Sequence, residues 1–188
     1  MSSSAQAAHE LRWITPTRAD KQRLQAFCCC EHEERRPPYH SWQHSKSWEL
    51  EVQKMVRHDL FVPSKPPHFL LMAEDDQGIA ALSSFEQQGD FAYLDVMAVA
   101  LRLRGRRFGR ELMRATISRM IERAQEQGVK EVGIECRIDP RNEPSTRLVT
   151  WAGFEKQAEP DLDYAADGIA RIDGEVVLDP WTATLYVP

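Results

Sequence analysis

A chain of 188 residues with a formal net charge of −5, 42% apolar and 28% charged residues has the size and balance of one domain with a real core. No apolar run approaches the ~18 residues that cross a bilayer, which argues against a membrane partner. The net acidity argues against a dedicated nucleic-acid binder, because phosphate neutralisation needs a broad basic face.

The opening "MSSSAQAAHE" lacks the basic and apolar regions of a secretory signal, so residues 1–10 read as a disordered polar tail of a cytoplasmic protein. "LRWI" (Leu11 to Ile14) reads as a short strand, and "TPTRADKQRLQAF" as a helix entry with Thr17 or Asp20 available as cap. Next come three consecutive cysteines, Cys28, Cys29 and Cys30, with Cys136 alone downstream. They make no disulfide framework and fit a reducing compartment, packed as small buried helical residues. Cys30, His32, His40 and His44 hint at zinc, but two prolines intervene and no second cysteine stands at ligand spacing. No metal is expected.

Trp48 to His58 reads as a second helix with Trp48, Val52, Met55 and Val56 along one stripe. Then "HFLLMA", "IAALSSFE" and "FAYLDVMAV" alternate between the turn sequences "EDDQG" and "QQGD", the pattern of an antiparallel meander. From Phe108 the period becomes helical, with Met113, Ile117, Met120, Ile121 and Ala124 on one face and Gly128 as the stop. "VKEVGIECRI" follows as a strand parallel to "FAYLDVMAV", since a whole helix separates them. "PSTRLVTWAGF" is a short helix ending at Gly153, and the tail "IARIDGEVVLDPWTATLYVP" alternates in strand fashion. This order predicts a mixed, mostly antiparallel sheet with helices packed on it.

The chemistry concentrates in "RLRGRRFGREL" (Arg102 to Leu112), which packs five arginines around two glycines between a strand and a helix. The first turn of a helix has unpartnered N–H groups and partial positive charge, glycine lets an anion come close, and arginine adds charge-assisted bonds. The stretch is a good phosphate site. It matches neither the dinucleotide fingerprint nor the nucleotide P-loop.

"LDVMAVALRLRGRRFGRELM" resembles the cofactor motif of the GNAT N-acetyltransferase superfamily, with Arg104, Gly105, Phe108 and Gly109 in register. Arg107 stands where that family usually has glycine. "NEPSTRLVTWAGF" resembles the family's second block, with Asn142, Ser145, Gly153 and Phe154 in place, and the likeness runs from Leu11 to the C-terminus. It implies a single domain over residues 11–188, helices on both faces of the sheet, and a parallel strand pair that splays apart around acetyl-CoA. By the same likeness, the strand around Met97, Ala98 and Val99 would bind the pantetheine, with the amide near Met97 polarising the thioester. Amides from Arg104 through Gly105, Arg106, Arg107, Phe108 and Gly109 to Arg110 would hold the pyrophosphate, and Asn142 would touch the pantetheine arm. Arg107 is expected to have helical φ/ψ, donating its N–H and swinging its side chain to a phosphate.

Acetylation of an amine needs a group to take a proton, and Asp95 and Glu86 are the candidates, either acting through water. The family's usual tyrosine acid is replaced by Val149, so Tyr186, Tyr164, water or unassisted thiolate departure are the options. The acceptor would meet His32, Glu33, Glu34, Tyr39, His40, Trp42, His44 and Trp48, an aromatic and acidic wall, with the acidic "AEPDLDYAADG" closing over it. A small-molecule amine is preferred over a protein lysine or N-terminus. The rival readings are a non-catalytic acyl-CoA-binding regulatory module and a nucleic-acid-binding domain. The expected partners are acetyl-CoA and an amine, with homodimerisation open, and neither nucleic acid nor membrane.

Overall fold

A computed structural model describes residues 11–31, 46–58, 60, 67–158, 169–172 and 175–188. The disordered tail expected over residues 1–10 lies outside them. The chain opens with β1 (Arg12–Ile14), a 3₁₀ turn, α1 (Lys21–Ala26) and α2 (Ser47–His58). The meander follows as β2 (His68–Asp75), β3 (Gly78–Gln88) and β4 (Phe91–Val99), each antiparallel to the last. Its hairpins are tight because glycine takes the positive φ that a short turn demands, as at Gly89 with φ 59°.

Next come α3 (Phe108–Glu126), β5 (Glu131–Ile138) and α4 (Glu143–Trp151). Short strands β6 (Glu155–Lys156), β7 (Arg171–Ile172) and β8 (Glu175–Val176) precede β9 (Asp179–Tyr186). Among the described residues seven strands form one sheet in the order β1-β2-β3-β4-β5-β9-β6, while β7 and β8 pair separately. The predicted parallel crossover is present, since β4 and β5 run side by side in the same direction. Gly128, φ 68°, ends α3 as expected, its N–H donating to the Gln125 carbonyl at 3.0 Å.

Two apolar layers hold helices to the sheet. On one face Leu24, Phe27 and Val56 of the α1–α2 region pack with Leu70, Met72, Leu82, Val96 and Ala98. On the other, Met113, Met120 and Ala124 of α3 pack with Phe69, Phe85, Ala92 and Leu94, and Val149 of α4 joins that cluster. Polar contacts set the register of α3. Ser83 and Thr116 share a hydroxyl bond of 2.7 Å, and the Gln87 amide donates to the Met120 carbonyl at 3.1 Å.

In a strand, residues of one parity share a face. Here Ala92 and Leu94 belong to the α3 layer, whereas Val96 and Ala98 belong to the α1–α2 layer. The switch occurs at Asp95. Ser84 pairs with Val96 and Phe85 with Leu94, so Asp95 is the extra residue of a β-bulge. The parallel ladder with β5 runs only from Phe91 opposite Gly133 to Tyr93 opposite Glu135. Beyond Tyr93 the two strands part, and among the described residues the far edge of β4 has no neighbouring strand.

The cysteines correct the sequence expectation. They follow α1 rather than lie within a helix, and Cys28 is exposed while Cys29 and Cys30 are buried. The Gln53 side chain holds that loop, accepting from the Cys29 N–H at 2.8 Å and donating to the Phe27 carbonyl at 2.9 Å.

Glu74 on β2 is buried, with Arg12 and Arg23 bonded to its two oxygens. Burial pushes its carboxyl up, but the bonds from Arg23 and Arg12 outweigh that and hold it below the usual value of 4.5. A lowered folded-state pKa contributes stability above the unfolded value, and that contribution is lost as pH falls through the folded one. Glu74→Gln is therefore expected to cost about 1–3 kcal/mol in urea unfolding at pH 7, and less below pH 4. An equal cost at both pH values would contradict this account.

Candidate active site

Where β4 and β5 part, a cleft of about 530 Å³ opens. Its walls include Trp48, Glu51, Val52 and Met55 of α2, Leu94 to Met97 of β4, and Cys136 to Ile138 of β5. Asp139, Arg141, Asn142, Ser145, Leu148 and Val149 close one end, and Glu175, Val176 and Leu178 another.

The direction of the backbone groups follows from the ladder. The Ala100 N–H donates to the Ala80 carbonyl at 2.8 Å. Alternate residues of an antiparallel strand face the same neighbour, so Ala98 also turns its N–H and C=O toward β3. Met97 and Val99 turn theirs to the open edge. This corrects one residue of the expected pantetheine set: Ala98 is committed to the sheet, while its two neighbours present an unfinished ladder.

The open edge leads into a 3₁₀ turn (Leu101–Leu103) and the arginine-rich loop. Carboxylates hold the first two of the five arginines. Arg102 pairs with Asp75 at 2.6 Å, and Arg104 pairs with Glu49 of α2 at 2.8 Å while also donating to the Cys29 carbonyl. Within the loop the Arg104, Arg106 and Arg110 N–H groups bond to the Leu101, Leu103 and Arg107 carbonyls. Among the described residues the N–H groups of Gly105, Arg107, Phe108 and Gly109 have no such partner.

Arg107 corrects a second expectation. Its backbone is left-handed, φ 67° and ψ 7°, rather than helical, and it is the only non-glycine with positive φ among the described residues. The chain turns there into α3, in a conformation that costs an L-residue ~1–2 kcal/mol. Glycine would adopt it freely.

Asn142 caps α4, its carbonyl oxygen accepting from the Ser145 N–H at 3.2 Å, so its role in the fold is shown beside its place on the cleft wall. Asp139 and Arg141 form a two-pronged pair, and Arg141 also donates to Ser47 at 2.7 Å and lies 5.4 Å from the Trp48 ring. The pair ties the start of α2 to the loop before α4. The sequence could not reveal this, because nothing local links residues 47 and 141.

The candidate proton-handling residues separate. Asp95, the bulge residue, lines the cleft. Glu86 does not: it lies on β3 opposite Tyr93, exposed, paired with His68 at 2.9 Å. Tyr186 is likewise not brought in, being 73% exposed and opposite Glu131 at the other end of β5. Five residues of strand, roughly 17 Å, separate it from the Cys136 level. Val149 is buried in the core. Tyr164, with His32, Glu33, Glu34, Tyr39, His40, Trp42 and His44, lies outside the described residues, as does the acidic segment 159–168. Cys136 borders the cleft, but burial pushes its thiol up to about 12, so it stays protonated at neutral pH. Burial, and next the charge of Asp95, also raise the Tyr93 hydroxyl above 10. Among the described residues no three His, Cys, Asp or Glu side chains are placed to share a metal ion, and no helix is long and apolar enough to cross a membrane.

Since Arg107 bears the left-handed strain, Arg107→Gly is expected to raise stability by up to about 1 kcal/mol in urea unfolding. A loss of stability would show that the side chain supports the turn.

Comparisons with known proteins fit this geometry. Among solved structures the chain is similar to a GNAT-family acetyltransferase from Staphylococcus aureus Mu50, with 15% identity, TM-score 0.58, 94% of this chain and 99% of that one covered. It is also similar to the ribosomal-protein-S18-alanine N-acetyltransferase from Escherichia coli, at 15% identity, TM-score 0.52, and 95% and 94% coverage. A third is the PaiA N-acetyltransferase from Thermoplasma acidophilum in complex with coenzyme A, at 12% identity, TM-score 0.54, and 91% and 98% coverage. No curated protein matches the chain. The model of the acetyltransferase (GNAT) family matches residues 27–154, more than half of the sequence. With that match over the bulged strand, the arginine turn and α4, the chain belongs to the GNAT acetyltransferase family.

Proposed function

We propose that this protein transfers an acetyl group from acetyl-CoA directly to a primary amine on a small molecule. The observation that carries the reading is the open edge of β4, which leads through the 3₁₀ turn into four unpartnered amides, two in the arginine-rich loop and two at the start of α3. An unfinished ladder suits the amides of a pantetheine arm, and unpartnered N–H groups at a helix start suit a pyrophosphate. Arg107 adds a guanidinium with no ion pair among the described residues. When bound, acetyl-CoA supplies the thioester carbonyl carbon that the amine attacks.

The residues of the chain divide the remaining work. The Met97 N–H, turned to the open edge, is the donor that stabilises charge growing on the thioester oxygen. Asp95 takes the amine proton through water, because the bulge sets its carboxylate on the cleft while Glu86 lies outside. Asn142 offers its side-chain N–H group to the pantetheine arm while its carbonyl caps α4. Val149 cannot donate a proton and Tyr186 is too far away, so water protonates the departing thiolate. Direct transfer is favoured over an acyl-enzyme because Cys136 is held as the neutral thiol.

The acceptor class rests on charge. Glu51, Asp95, Asp139 and Glu175 stand on the cleft walls against Arg137 and Arg141, four carboxylates to two guanidiniums. That balance favours a cation. Val149 supports one second reading, a module that binds acyl-CoA without turnover.

A free-thiol assay over polyamines, aminoglycosides, amino acids and peptides separates the readings, with acetyl-CoA calorimetry alongside. Turnover with small amines is expected. Binding without thiol release would favour the non-catalytic module, and no binding at millimolar acetyl-CoA would overturn both. Asp95→Asn is expected to lower kcat by about 100-fold with acetyl-CoA affinity unchanged, and Glu86→Gln to leave kcat as it is. The reverse pattern would move the base to β3. Arg107→Gly is expected to weaken acetyl-CoA roughly three- to tenfold, the loss of one exposed charge-assisted contact.

A further inference from the structure

We propose a second anion subsite, for a phosphate monoester, built by Arg110 and Arg114 of α3 on the ring of Trp151. It rests on the CoA reading above and assigns the 3′-phosphate of the adenosine end to these residues.

Arg110 lies 4.8 Å and Arg114 5.0 Å from the centre of the Trp151 ring. The two arginines are a turn apart on α3, so like charges four residues apart repel each other. Neither has a carboxylate partner among the described residues, although their neighbours Arg119, Arg123 and Arg147 are each paired with a glutamate. What holds them together is the indole, 37% exposed and therefore large apolar surface left in solvent. A guanidinium stacked on an aromatic face keeps its N–H edge free and fixed in plane, the geometry that grips a phosphate with two parallel bonds. Two such edges carry the charge that a monoester dianion needs.

The position fits the rest of the anion-binding surface. Helices α3 and α4 lie against each other here, since a Cβ on Gly109 would stand 3.6 Å from the Leu148 side chain, an ordinary contact. Trp151 follows Leu148 by less than one turn, so it sits beside the first turns of α3. Arg110 and Arg114 follow Arg107 by three and seven residues, a rise of roughly 5 and 10 Å along the helix. A pyrophosphate at the Arg107 turn therefore places a phosphate on the attached ribose within reach of the stack. The pairing separates two jobs: backbone amides for the pyrophosphate, stacked side chains for the monoester.

The test is calorimetry of the full chain with CoA and with 3′-dephospho-CoA. The intact protein is expected to bind CoA at least tenfold more tightly. Arg114→Gln and Trp151→Ala should each weaken CoA about tenfold and leave 3′-dephospho-CoA unchanged, so that the discrimination collapses. Retained 3′-dephospho-CoA binding also reports that each variant is folded. Equal affinity of the intact protein for the two ligands would overturn the subsite, as would parallel loss of both ligands in Arg114→Gln. Failure of both ligands to bind the intact protein would overturn the CoA reading itself, a different result from failure of discrimination.

Discussion

Inserting Asp95 into β4 breaks one hydrogen-bonded ladder, and most of the site follows from that break. An extra residue on one strand bends it and increases its twist. The parallel partner β5 cannot follow and leaves after Tyr93. The same residue exchanges the two faces, moving Val96 and Ala98 beneath α1 and α2, where Leu82 and Val56 wait for them. Because both layers are fully packed, sliding the strand by one residue to heal the ladder would drive apolar side chains out of two cores at once. The open edge is thus stabilised by packing elsewhere, and a carboxylate is delivered to the point where the strands part.

The loop beyond that edge is prepared in advance. Its engaged arginines, Arg102 and Arg104, reach back to the β2–β3 turn and to α2. Held at its entry by these pairs and at its exit by α3, the loop has little freedom left to lose, which is what preorganised anion binding requires. Arg107 is the cost of that arrangement: the turn into α3 holds an arginine in a left-handed backbone. Local strain concentrated at a candidate ligand site, and found at no other non-glycine among the described residues, is the pattern of a binding turn.

Much of this was legible in the linear order. The period change at Phe108 located α3, the stops at Gly128 and Gly153 closed their helices, and the intervening helix implied that β4 and β5 are parallel. What could not be read depends on register and on distant partners. Alternation separates Ala98 from Met97 and Val99, but only the bond from Ala100 to Ala80 decides which of the two sets faces outward. Glu86 and Asp95 look equivalent as strand carboxylates until the bulge separates them. Tyr186 offers the right chemistry to stand in for the tyrosine that Val149 replaces, yet β9 runs antiparallel to β5 and carries it away. The helical expectation for Arg107 extended a local period one residue too far, across a reversal imposed by the loop. The cysteines similarly satisfy a helical pattern but lie in a loop pinned by Gln53.

The contact between Arg104 and Glu49 joins the arginine-rich loop to a wall of the cleft, since α2, which carries Glu49, also supplies Glu51, Val52 and Met55 to that wall. Under the proposed function, that one guanidinium stands between the acetyl-CoA and acceptor sites, and any coupling carried through it is equal in both directions, whichever ligand binds first.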